Sequence, residues 1–180
     1  MNDAEIIAST RRWLERAVIG LNLCPFAASP YRDGRVHWVV SHERSAAGLT
    51  RDLEQALLDL QGADPRQRET TLLIHPWVLN DFAEYALFLQ VCDGVVAQLE
   101  LEGELQVASF HPDYQFAGTA AQDVENCTNR SPFPTLHLLR EDSVSRAVES
   151  TDTEAIYLRN IERLRELGRA GWEALWREDS

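Results

Sequence analysis

The chain has 180 residues, 44% of them hydrophobic and 26% charged, with a formal net charge of −12. A chain of that length buries roughly 70% of its unfolded surface, enough for one core and short of two full domains, so a single domain over 1–180 is expected. The acidic balance disfavours nucleic acid as a partner, and because the 17 basic residues are all arginine, lysine Schiff bases and phosphate-loop lysines are excluded.

The first helix is expected from about Ala4 to Val18, with Asn2 and Glu5 as a capping pair and Gly20 as its end. An irregular stretch follows, from Leu21 to Ala27, in which Pro25 forbids helix continuation. Val36 to Ser41 reads as a strand, and Ser45 opens a helix carrying Leu49, Leu53, Ala56, Leu57 and Leu60 on one face. Thr70 to His75 is a second strand, closed by Pro76. Asn80 is the expected cap of a long helix whose core stripe is Phe82, Tyr85, Leu89, Cys92, Val96 and Leu99. Gly103 breaks that helix, and Leu105 to Phe110 is a third strand.

Beyond His111 a long connection, 112–134, precedes a fourth strand from Thr135 to Leu139. Loops of that length inside a compact domain are often functional. Thr119 and Gln122 predict a short capped helix from about Ala120 to Thr128, with Asp123, Asn126 and Arg130 along one face and Val124 and Cys127 turned inward. Ser143 is expected to cap a short helix, and Thr151 with Glu154 to open the last one. The last helix carries Leu158, Ile161, Leu164, Leu167, Trp172, Leu175 and Trp176, and Gly168 and Gly171 mark close packing.

Two successive strand–helix–strand units predict an α/β fold with a mostly parallel four-stranded sheet and helices packed on it. Three strands then end at one edge, where open α/β sheets bind ligands, and the residues there are His42, His75 and His111.

The segments Leu21-Asn22-Leu23-Cys24-Pro25-Phe26-Ala27, Glu69 to Ile74, Ala108 to Thr119, Thr128-Asn129-Arg130-Ser131-Pro132-Phe133-Pro134, Leu136 to Glu141 and Asp152 to Ile156 together resemble an uncharacterised bacterial family, catalogued as a domain of unknown function. The resemblance covers nearly the whole chain and implies kinship without an activity. It carries no histidine at the position of His42, which weakens a role for that residue.

Three chemistries are open to these residues. One is a divalent transition-metal site of His75, His111 and either His137 or Cys24, with an open position to activate water. Another is nucleophilic catalysis by Cys24, its thiol activated by His111, His137 or Arg130. The third is binding of a small anion by Arg130, with Asp123, Asn126, Asn129 and Ser131 completing the site. The structural readings beside them are a His-Pro strand end, a buried cysteine and an arginine that pins the long loop.

The leading expectation is a small-molecule enzyme, hydrolytic or group-transferring, acting on an anionic substrate through a metal-activated water or the Cys24 thiolate. The alternatives are a binding module for an anionic metabolite, metal or haem, and a structural or homo-oligomer-forming protein. Three cysteines without a C-x-x-C pair, no secretory leader and no long apolar run fit a cytoplasmic protein without membrane partners. The chain also lacks the G-x-G-x-x-G, G-x-x-x-x-G-K-[ST] and G-x-S-x-G patterns.

Overall fold

The Asn2 side chain accepts a hydrogen bond from the Glu5 amide at 3.0 Å, and the Glu5 carboxylate accepts one from the Asn2 amide at 2.9 Å. This reciprocal cap starts α1 (Asp3–Trp13) in a computed structural model that describes residues 1–24, 26–149 and 153–176. The helix runs on as a π-helical stretch, Leu14–Ile19, in which the Gly20 amide reaches back five residues to the Glu15 carbonyl. A Cβ at Gly20 would lie 2.3 Å from the Arg16 carbonyl oxygen, so the exit from this stretch requires glycine. A short helix, α2 (Ala28–Arg32), follows.

The α/β core then alternates: β1 (Val36–Val40), α3 (Ala46–Gly62), β2 (Thr70–Ile74), α4 (Phe82–Gln98), β3 (Leu105–Phe110), β4 (Thr135–Arg140), α5 (Glu141–Glu149) and α6 (Thr153–Trp176). The strand order is β1-β2-β4-β3, and only β1 and β2 pair in parallel. The expected mostly parallel sheet is therefore corrected to a mixed one. The 112–134 connection keeps the chain at the edge where β3 ends, so β4 must enter from that edge and run antiparallel to both β2 and β3. The strand–helix–strand pattern reads the direction of β3 correctly but not its neighbour. The carboxyl ends of β1, β2 and β3 still share one edge.

Side-chain alternation splits the sheet into two faces. Leu73, Leu136, Leu138 and Leu105 pack with α3 and α4, where Leu49, Leu53, Leu57 and Leu60 are fully buried. Each such leucine contributes roughly 1.5–3 kcal/mol of burial. On the opposite face Leu72 and Ile74 pack with Ile6, while Trp13, Val18, Cys127, Leu164 and Trp172 form a further cluster against α6. Cys127 and Val124 turn inward as expected.

Several local expectations shift. Asp81, not Asn80, caps α4, its Oδ1 accepting from the Ala83 and Glu84 amides at 2.9 and 3.1 Å. The second capping pair, Thr119 with Gln122, does not form. Residues 120–123 make a turn, closed by the Ala120 amide on Asp123 Oδ2, and a 3₁₀ helix begins only at Val124 (Val124–Asn129). Ser143 lies inside α5, where its hydroxyl donates to Glu69. Leu158 is 60% exposed, outside the core stripe. Gly168 interrupts α6 with φ 68° and has open space around it, so it serves backbone conformation and not close packing. The expected Thr151 and Glu154 cap lies outside the described residues. No helix among the described residues is long and apolar enough to cross a membrane.

Candidate functional site

Past the end of β2, the His75 amide donates to the Pro134 carbonyl, and past the end of β3 the His111 amide donates to Asn129. Both histidines are buried and both lie against Tyr85 of α4, His75 stacked with ring centroids 5.7 Å apart and His111 tilted at 5.0 Å. The Tyr85 hydroxyl donates to the Thr135 carbonyl at 3.0 Å and accepts from the Phe110 amide at 3.1 Å. Burial and these bonds fix the ring, and its phenol titrates well above the ordinary range.

The hydrogen bonds assign the imidazole tautomers. The Asp113 amide donates to His111 Nδ1 at 3.0 Å, so Nε2 carries the proton and donates to the Leu79 carbonyl at 3.2 Å. His75 Nδ1 donates to the Val78 carbonyl at 3.0 Å, which leaves a buried Nε2 lone pair without a partner. Loss of hydration lowers the pKa of His111 and pushes that of His75 down to about 4. Both rings are neutral donors to the segment 75–81, which also holds Leu79 at φ 57°. A leucine there is strained, and the two rings hold it in place.

His137 is elsewhere. Leu136 and Leu138 face α3 and α4, so His137 points to the other face, 6.1 Å from the Phe110 ring. Its Nε2 donates to Thr70 Oγ1 at 2.5 Å, whose own hydroxyl donates to the Leu138 carbonyl. The histidines expected to share a metal are thus not brought to one point, and His111 has both ring nitrogens engaged. No group of three or more potential metal ligands is found among the described residues.

Cys24 packs with Val18, Trp38 and Trp172 in the α6-side cluster, while His111 packs with Phe82 and Tyr85 against α4. Burial raises the Cys24 thiol, opposed only weakly by the Phe26 and Ala27 amides, so the geometry does not assemble the expected Cys24–His111 pair. The preceding Leu23 is held by its amide to Val18 and by the Asn160 side chain to its carbonyl at 2.9 Å. His42 is exposed at the surface, stacked on Trp77 and paired with Asp3.

The expected anion-site residues come together, in unequal roles. Asn126 is fully buried and is the hub of the long loop: Oδ1 accepts from the Phe116 amide and the Thr119 hydroxyl, and Nδ2 donates to Ala120. Asn129 donates to the Ser109 carbonyl, Ser131 to Phe133, and Asp123 closes the 120–123 turn. Those four hold the loop.

Arg130 differs. It is 3% exposed, its Nε donates to the Tyr114 carbonyl at 3.2 Å and its Nη2 to the Ala121 carbonyl at 2.5 Å, and Nη1 has no partner. The guanidinium forms part of the floor of a cleft of about 360 Å³, at the lower end of ligand-pocket volumes of roughly 300–1,000 Å³. Asn80, Asp81, Phe82 and Ala83 supply one wall, Asp113, Gln115 and Ala121 the other, and Arg169 stands at the rim. His75 and His111 hold the first wall through the carbonyls of Val78 and Leu79. Arg130 holds the second through Tyr114 and Ala121, and His111 Nδ1 anchors Asp113 beside it. A groove of about 380 Å³ along Ala4 to Arg16 is lined by α1 and the π-helical stretch alone, without converging loops.

Residues 5–174 match the family described as protein of unknown function, DUF1415. The chain belongs to DUF1415. No curated protein and no solved structure matches it. Two of the motif segments that resemble the family, Ala108–Thr119 and Thr128–Pro134, meet at this DUF1415 cleft, one bringing Asp113 and the other Arg130. The first wall was missed from sequence. Asn80 reads there as the helix cap, and Asp81 is marked only by its place at the start of α4.

Proposed function

We propose that the cleft over Arg130 binds a small molecule through an anionic group, a carboxylate or a phosphate. The observation that carries this reading is a nearly buried guanidinium with no carboxylate in ion-pair range among the described residues. Buried charges are ordinarily paired; leaving a neutral buried donor unsatisfied costs about 1–3 kcal/mol, and a charged one costs more. Two loop carbonyls and the Cys127 thiol, whose pKa burial raises, lie against Arg130 and supply no counter-charge. An incoming anion supplies both the charge and the missing acceptor.

Nη1 has almost no exposed surface, so the acceptor reaches it as the 113–121 loop yields slightly. Binding is favoured over catalysis because the His75 and His111 rings are spent holding walls and the Cys24 thiol is packed with a different cluster. The test is calorimetric titration of the full chain with phosphate, propionate and glutarate. Binding that vanishes in R130M and weakens in R130K supports the proposal, since lysine keeps the charge without the fork. Unchanged binding in R130M, or none in the parent chain, overturns it.

A further inference from the structure

We infer that the ligand is a zwitterion, with an amine on the same small molecule as the anionic group; this rests on the reading of the cleft as an anion site. Two carboxylates line the cleft with Arg130: Asp81 on the first wall and Asp113 on the second. Neither forms an ion pair among the described residues, although both share a small cleft with a guanidinium. Opposite charges on free side chains would close on each other. Here each is held apart by its own backbone bonds.

Asp81 Oδ1 is committed to the Ala83 and Glu84 amides, which fixes the carboxylate and leaves Oδ2 free. Asp113 is placed by its amide on His111 Nδ1, and its carboxylate makes no hydrogen bond among the described residues. Arg130 is anchored by Tyr114 and Ala121. Arg169 at the rim is neutralised by Glu173 at 3.0 Å, so it does not cancel the carboxylates.

The cleft therefore presents one buried cationic point and two exposed anionic points, Asp81 fixed by its cap and Asp113 placed by its backbone, with no ion pair among them in the described residues. A simple anion satisfies the guanidinium and is repelled by the walls. A molecule with an ammonium group beside its carboxylate satisfies both, with charge-assisted hydrogen bonds at each end. Free α-amino acids are the smallest members of that class, and their size suits a cleft of about 360 Å³.

The experiment titrates the full chain calorimetrically with each of the twenty free amino acids. Propionate, glutarate and phosphate serve as amine-free anions, and ethylamine as the carboxylate-free control. At least one amino acid is expected to bind at least about tenfold more tightly than any amine-free anion. D113N and D81N should each cut that preference several-fold and bind propionate as tightly as the parent or more tightly, since each removes a repelling charge; asparagine still caps a helix, so D81N is expected to fold. R130M should abolish both. If amine-free anions bind through Arg130 as well as every amino acid does, the zwitterion inference fails and the anion reading stands. If nothing binds, both fail.

Discussion

Arg130 and Arg140 lie at opposite ends of β4, one just before the strand and one as its last residue. Each is drawn under the surface and each donates to backbone carbonyls, yet they meet different surroundings. Arg140 Nη2 reaches the carbonyls of Leu60, Ala63 and Arg68 at 2.6, 2.9 and 3.2 Å. Leu60 belongs to the last turn of α3, whose exposed carbonyls form the negative end of the helix dipole. Asp64, whose carboxyl is held low chiefly by Arg66, adds a further negative charge that Arg140 feels. Arg140 thus has three carbonyls, a helix C-terminus and the nearby Asp64 charge facing it, with its buried Nε left unpartnered, whereas Arg130 has two loop carbonyls, an unpartnered Nη1 and a cleft. The same residue type closes one end of the strand and, on the reading proposed above, leaves the other open to an anion.

The strongest way to break this comparison is to remove each side chain in turn. R140M strips three carbonyls of their shared donor and is expected to cost about 3–4 kcal/mol, read as a lower urea midpoint with unchanged slope. R130M loses two loop contacts and an unpaired buried charge at once, so its cost should be nearer 1–2 kcal/mol. Anion binding should disappear in R130M and survive in R140M. Equal destabilisation by the two variants, with binding intact in both, would make Arg130 a loop pin like its counterpart.

Much of this contrast was legible before the fold was known. The periods of α3 and α4 and the β-branched residues of β1 and β2 are strong local signals, and all of those elements form. Arg130 stood out because its fork sits among neutral donors in a long loop. What local pattern does not encode is partnership: the insertion of β4 between β2 and β3 depends on where the 112–134 connection ends in space. The face of His137 follows from that register, which is why a shared histidine site looked feasible in one dimension. Asp81 and Asp113 resemble any polar residues beside a helix start or a proline until the two loops are folded onto one cleft.

Acid provides a second, smaller perturbation, and it reaches both edges. His75 supports the cleft wall, and His137 joins β4 to the start of β2 through Thr70. Burial pushes both from the ordinary 6.5 down to about 4, because protonation would strand a charge in a dry site. The unfolded chain takes up these protons near 6.5 and the folded chain only near 4. Their contribution is therefore complete above 6.5, falls as pH drops, and is exhausted below about 4. By pH 5 each histidine should account for a loss of about 2 kcal/mol. Urea midpoints measured from pH 7.5 to 4.5 test this. H137Q, which keeps a donor at the Nε2 position, and H75N, which keeps one at Nδ1, should each flatten the slope; unchanged slopes would show that the histidines titrate normally.

The most local perturbation sharpens the cleft side alone. Gly168 has φ 68° where α6 changes direction, immediately before Arg169 at the cleft rim. No distant atom would crowd an added Cβ, so the penalty of G168A is conformational, and at φ 68° and ψ 168°, a region kept almost entirely to glycine, it is about 1–3 kcal/mol. If the chain relieves that strain by straightening α6, Arg169 leaves the rim and anion affinity changes by a few-fold, while the α3 end at Arg140, on the far edge of the sheet, keeps its hydrogen-exchange protection. If the backbone instead tolerates the strain, stability falls by the same amount and affinity does not move, which would place the recognition in Arg130 and the two walls without help from α6.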